Sequence, residues 1–233
     1  MKPETEEYQS RSELIEVARQ CYAKGYICGL EGNFSIRLAE NLVLTTPRGV
    51  CKARLHQDEL VLTDMSGKSV SGGEPSTELK MHLVAYEKRP DIRAVLHAHP
   101  VTAVGLTVAG ISLLTPILPE VVCTLGGIPT APYATPSTDE IPESIAGLVV
   151  DYDALMLDHH GALLLGSDLW DAFYKLETVE HFAQTLMVAY QVGRPIELTA
   201  EQVARLNRIK SIYKKSDSAD LLTSNGPGKG EQK

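Results

Sequence analysis

The stretch Ala94-Val95-Leu96-His97-Ala98-His99-Pro100 sets two imidazoles two residues apart in a segment that reads as a strand. With period-two alternation, His97 and His99 point to one face. A third imidazole stands beside a glycine in His159-His160-Gly161, and a carboxylate is available at Glu78. Zinc binds imidazole nitrogen at tetrahedral sites, and its catalytic sites use three protein ligands with one position left for water or substrate. The competing reading is a set of ordinary polar residues on a wetted sheet. Spacing alone does not choose between His159 and His160, since adjacent residues that continue a strand point to opposite faces. His82 follows Glu78 by four residues and shares its helix face, which suits a packing or supporting role. His56 and His181 have no partner pattern and read as surface residues.

Glu78 falls in the first turn of a helix, where the macrodipole favours a carboxylate. Beside a metal it would do more, ligating at rest and accepting a proton once substrate displaces it. An anion site is also readable. Gly32-Asn33 and Arg48-Gly49 are glycine turns that expose backbone amides, and Ser76-Thr77 adds hydroxyls at a helix start. Only their convergence would make a phosphate pocket.

Periodicity supplies the elements that must hold these groups. Apolar spacing predicts a helix over 12–24, capped by Ser10 or Ser12, followed by strands over 31–38, 41–46 and 60–64. Ser76 is the expected cap of a helix that runs to the stop at Pro90. After the histidine strand come a helix over 102–109 and connections marked by Pro116, Pro119, Pro129, Pro132, Pro136 and Pro142. A helix over 144–150, a buried strand over 154–158, a hairpin partner over 162–166 and a long amphipathic helix over 169–192 follow. Thr199 and Gln202 form a capping box that opens a last helix.

The chain has 233 residues, 43% hydrophobic and 22% charged, which fits a single domain over 1–213 with a sizeable core and a disordered tail over 214–233. The formal net charge of -8 argues against a general polyanion binder, so no nucleic-acid partner is expected. Cys21, Cys28, Cys51 and Cys123 are scattered and read as reduced thiols. The acidic start lacks the basic and apolar regions of a signal peptide, and no apolar run is long enough to span a bilayer, so the expected location is the cytoplasm.

Taken in order, Gly32-Asn33-Phe34-Ser35-Ile36-Arg37, Thr46-Pro47-Arg48-Gly49, Pro75-Ser76-Thr77-Glu78, His97-Ala98-His99 and His159-His160-Gly161 resemble the class II aldolase and adducin head family, nearest to its L-fuculose-1-phosphate aldolases. The resemblance covers roughly residues 12–194, and its specificity comes from the order of five individually weak motifs. It implies a three-layer α/β/α sandwich around a central, largely antiparallel sheet, assembled as a homotetramer with active sites between subunits. Carried over residue by residue, His97, His99 and His160 match the ligands of a Zn2+ ion, and Glu78 the acid/base carboxylate. Asn33, Arg48, Gly49, Ser76 and Thr77 match the positions that bind the substrate phosphate.

The implied reaction cleaves a ketose 1-phosphate, such as L-fuculose 1-phosphate or a 5-deoxypentulose 1-phosphate, between C3 and C4 to glycerone phosphate and an aldehyde. Zinc serves as the Lewis acid and Glu78 handles the proton at C3. Three departures bear on the substrate. Glu120 stands where the aldolases carry a tyrosine that reaches a neighbouring subunit's site, with Tyr133 as a nearby hydroxyl that could substitute; Leu30 replaces a hydroxyl residue; and Arg48 enters the Thr-Pro-x-Gly turn. An acid at 120 is more like the methylthioribulose-1-phosphate dehydratases. Epimerases of the family carry aspartate where this chain has Glu78, which favours aldolase, while decarboxylases and a non-catalytic adducin-like interaction module remain alternatives.

Overall fold

The structure, a computed structural model, describes residues 3–71 and 73–213. The expected tail over 214–233 lies outside the described residues. The chain runs α1 (Pro3–Ala23), β1 (Asn33–Ala39), β2 (Leu42–Thr45), β3 (Val61–Thr63), α2 (Leu79–Lys88), β4 (Ala94–Ala98), α3 (Val101–Val108) and α4 (Pro119–Thr124). It continues through β5 (Thr130–Ala131), α5 (Glu140–Ile145), β6 (Ala154–Leu157), β7 (Gly161–Gly166), α6 (Leu169–Val192) and α7 (Ala200–Tyr213). The strands form one seven-stranded sheet in the order β3-β2-β1-β4-β7-β6-β5. Only the short pair β5–β6 is parallel; the other neighbours are antiparallel.

Alternation along β4 shows how the layers are made. Leu96 and Ala98 face a core with Leu14 and Val17 of α1 and with Phe173, Leu176 and Phe182 of α6. Val95 points the other way, into a second core with Leu83 and Tyr86 of α2 and Ile141 and Ile145 of α5. A strand apolar on both faces is buried on both, and every residue of β4 is buried. The result is the expected α/β/α sandwich with a largely antiparallel sheet.

Several local expectations shift. The first helix begins at Pro3, so Ser10 and Ser12 sit inside it rather than capping it, and Ser12 Oγ donates to Tyr8 O at 3.1 Å. Proline suits a helix start because its missing N–H would have no helical partner there. Helix α2 begins at Leu79, with Glu78 at its cap and Ser76 Oγ accepting the Glu78 amide at 3.3 Å two residues on. The helix expected over 144–150 is instead α5 followed by a 3-10 turn over Leu148–Val150. Helix α4 and strand β5 fall where prolines suggested only connections, because tertiary burial of Val121, Val122 and Ala131 outweighs the local turn signals. The long helix α6 has its expected bounds. The Thr199–Gln202 box is present at 2.7 and 3.2 Å.

Helix α3 follows directly on His99-Pro100, and its first turn is pinned from below. Glu180 of α6, 5% exposed, accepts the amides of Thr102 at 3.1 Å and Ala103 at 3.0 Å. A carboxylate at a helix N-terminus satisfies donors that the helix cannot. Glu180→Ala should therefore cost about 2 kcal/mol in urea-unfolding free energy by stranding buried amides, with Glu180→Gln losing less because one acceptor survives.

Candidate active site

Strand pairing sets Asn33 of β1 opposite His97 of β4, on the face that α2 covers. His97 is fully buried, and its Nδ1 lies 3.0 Å from Ala162 O of β7, so Nδ1 carries the proton and Nε2 keeps its lone pair. His99, just past the strand, has Nδ1 3.4 Å from Glu31 Oε2 and Nε2 3.0 Å from His97 Nε2. The β6–β7 turn decides the tandem pair. His159 takes φ 56° and turns out to meet Asp158 at 2.9 Å, whereas the His160 ring lies 4.7 Å from that of His97 and 5.0 Å from that of His99.

The candidate ligand atoms of His97, His99 and His160 all lie within 4.8 Å of one another. Burial lowers the pKa of each imidazole, and for His97, where positive charge on His99 and His160 adds to the penalty, it falls well below the usual range. All three are neutral at pH 7. With the His99 proton on Nδ1, facing Glu31 at 3.4 Å, both Nε2 atoms present lone pairs to each other at 3.0 Å, a repulsion that a shared cation removes. His160 Nδ1 is buried with no hydrogen-bond partner among the described residues. Three neutral imidazoles beside a carboxylate therefore fit a divalent metal, zinc among them. Gly161 makes room for the cluster, since a Cβ there would come within 2.7 Å of His97 Cε1 and 2.8 Å of His99 Cδ2.

Glu78, at the cap of α2, closes the fourth side. Its Oε1 is 3.4 Å from His160 Nε2 and its Oε2 3.5 Å from His97 Nε2. A buried polar chain holds it. Asn33 Nδ2 donates to Glu78 Oε2 at 2.8 Å, and Asn33 Oδ1 accepts from His82 Nε2 at 2.6 Å. His82 Nδ1 then accepts from Ser35 Oγ at 2.7 Å, and Ser35 Oγ accepts from Tyr86 Oη at 2.8 Å. Burial drops the His82 pKa to about 3, so the ring is neutral and each donor in the chain points toward Glu78. Ser35 and Tyr86 are missed by the sequence reading, although the signal exists. Glu78, His82 and Tyr86 recur every four residues about α2, and Asn33 and Ser35 alternate on β1.

The anion-site residues also converge. Asn33, Arg48, Gly49, Ser76 and Thr77 line one cavity of about 240 Å³ together with Glu78 and His99. Gly49 has φ 70°, a left-handed turn that glycine accepts readily, and Thr77 Oγ1 lies 2.9 Å from Ser137 Oγ. Arg48 is exposed, with Nη1 3.9 Å from Glu74. Lys52 shares the cavity wall with no sequence signal to announce it. Glu120 is exposed on α4, Tyr133 is 64% exposed, and neither lines this cavity.

Residues 12–187 match the model of the class II aldolase and adducin N-terminal domain. The chain belongs to this family. Among curated class II relatives, the 3-oxo-tetronate 4-phosphate decarboxylase of Escherichia coli K12 is 32% identical over 205 residues, 86% of this chain and 96% of that protein. The L-fuculose phosphate aldolase of the same strain is 30% identical over 192 residues, 82% of this chain and 88% of that protein. Among solved structures, YgbL from Klebsiella pneumoniae superposes with a TM-score of 0.80 at 31% identity, covering 86% of this chain and 98% of its own.

Two outcomes follow from this geometry. Gly161→Ala should weaken any divalent-metal affinity of the cluster at least tenfold in a chelator-competition titration while lowering the melting temperature, because both histidine rings must move. For His82, the folded pKa lies below the unfolded one, so its contribution to stability is complete above about pH 6.5 and declines as pH falls toward 3. His82→Gln should flatten the stability–pH slope in that window by up to one proton, about 1.4 kcal/mol per pH unit, as read by urea unfolding across pH.

Proposed function

We propose that this class II chain is a cytoplasmic, metal-dependent lyase that releases glycerone phosphate from a phosphorylated sugar or sugar acid. The observation that carries the reading is the double position of Glu78, against the histidine cluster on one side and in the wall of the anion cavity on the other. In this reading the Gly49 turn, Ser76 and Thr77 hold the phosphate. A divalent cation, taken to be zinc, is held by His97, His99 and His160 and supplies Lewis-acid polarisation of the carbonyl beside the bond that breaks.

The aldolase and decarboxylase chemistries share one half. Aldol cleavage of a ketose 1-phosphate breaks C3–C4, the C4 hydroxyl proton departs as the aldehyde forms, and the electron pair stays on C3 beside the C2 carbonyl. Loss of CO2 from 3-oxo-tetronate 4-phosphate breaks C1–C2 and leaves the pair on C2 beside the C3 carbonyl. One proton delivered to that carbon gives glycerone phosphate in both cases. Glu78, protonated from solvent before the step, delivers it and is left as the carboxylate, and the chain Tyr86–Ser35–His82–Asn33 keeps the carboxyl group aimed.

Decarboxylation is the second reading, favoured by the slightly higher identity and coverage of the decarboxylase relative. We further infer a homotetramer, as the family resemblance implies, in which the exposed Glu120 and Tyr133 act at a neighbouring subunit's site, where the departing C4 hydroxyl proton of an aldol cleavage needs an acceptor.

The test is a coupled assay for glycerone phosphate on zinc-loaded protein with fuculose 1-phosphate and 3-oxo-tetronate 4-phosphate, with and without chelator. Chelator-sensitive release from one of them is expected and names the bond that is broken. No release from either refutes the reading. Glu78→Gln should keep the metal and lose turnover by roughly 10²–10⁴-fold, the range for a lost general acid–base.

A further inference from the structure

Lys52 is 3% exposed, yet its ammonium faces neutral backbone. Nζ donates to Leu30 O at 2.8 Å and Val50 O at 2.9 Å. Among the described residues no carboxylate comes within 4.0 Å of it. An ammonium has three donors, so one is left over. Buried charges in folded proteins are ordinarily paired, because a charge withdrawn from water without a counter-charge is costly. Burial accordingly pushes the Lys52 pKa down, while the negative charge of Glu78 pulls it part of the way back. The unpaired cation stands in the wall of the same cavity as Gly49, Ser76 and Thr77.

We propose that Lys52 is the resident counter-charge for the substrate phosphate, its third N–H donating to an anionic phosphate oxygen. The inference rests on the cavity's reading as a phosphate site and goes beyond it. Gly49, Ser76 and Thr77 offer neutral donors, which position an anion without balancing its charge. Arg48 is the other cation at the cavity, but it is solvent-exposed beside Glu74, where water and salt screen it. Lys52 is desolvated before the ligand arrives, so its attraction for a dianion is screened far less. Its bonds to Leu30 O and Val50 O also tie the loop over 28–32 to the turn over 47–51, holding the two walls of the cavity at a set spacing.

The probe is inorganic phosphate, titrated into the zinc-loaded 233-residue chain by calorimetry, for wild type, Lys52→Met and Lys52→Arg. Lys52→Met should raise the phosphate Kd at least tenfold and lose most of the phosphate-induced rise in melting temperature. Without phosphate its melting temperature should fall modestly, since Leu30 O and Val50 O each lose a donor, so the phosphate-dependent readouts are each referred to the variant's own phosphate-free state. An unchanged Kd in Lys52→Met overturns the assignment. If that variant does not fold, the lysine ammonium resonances of 15N-labelled wild type decide, with Lys52 assigned by its loss in Lys52→Arg. Its signal should move on phosphate titration, and a stationary signal overturns the proposal. Glycerone phosphate release without Lys52-dependent phosphate binding sinks this inference alone. Lys52-dependent binding without release sinks the lyase reading alone.

Discussion

The antiparallel pairing of β1 with β4 is the constraint on which the site depends. It places Asn33 opposite His97 and Ser35 opposite Val95, all on the face covered by α2. A one-residue slip would turn Phe34 toward α2 and bury Asn33 among the apolar side chains of α1 and α6. Register is protected by apolar packing on both faces, with Phe34 and Leu96 in one core and Val95 in the other. The polar residues at the end of this pairing are held in place by hydrophobic contacts that take no part in chemistry.

Once the register is set, α2 can deliver three groups at four-residue spacing. Glu78 meets the histidines, His82 meets Asn33 and Ser35, and Tyr86 closes the line beneath the sheet. A buried polar network is stable only when each member is satisfied. Here the order of donors leaves one consistent arrangement, with His82 neutral and the Asn33 amide turned so that its nitrogen faces Glu78. The carboxylate is thereby aimed by its surroundings rather than by its own cap geometry.

Charge is distributed unevenly across this small volume. The three imidazoles are held neutral by burial, with repulsion from neighbouring histidines adding to it at His97 and His160, which leaves lone pairs free for a cation. Glu78 lies on the boundary, and Lys52 holds a positive charge on the cavity side. The histidine cluster and the cavity that holds Lys52 thus share one carboxylate wall, which is the arrangement the proposed substrate, with a carbonyl near one end and a phosphate at the other, requires.

Much of this was legible in the chain itself. Period-two alternation placed β1, β2 and β4, helical periodicity gave α6 its bounds, and the capping box marked the start of α7, because these signals are local. Local signals also yielded His97-x-His99, the glycine turns and Ser76-Thr77-Glu78 as chemically able groups. They failed at α4 and β5, where burial overrode proline punctuation, and at the start of α1, which lies well before its apolar face. What only the tertiary structure decided was choice and convergence. Spacing left His159 and His160 open and the family resemblance pointed to His160; the physical reason appears only in the fold, where the β6–β7 turn gives His159 a left-handed backbone and rotates it outward. Ser35 and Tyr86 acquire a role through contact across 51 positions of sequence, and Lys52 through burial beside backbone carbonyls of two separate loops. Spacing reports which face a side chain takes within its own element; which face of another element it meets is set by the packing of the whole sheet.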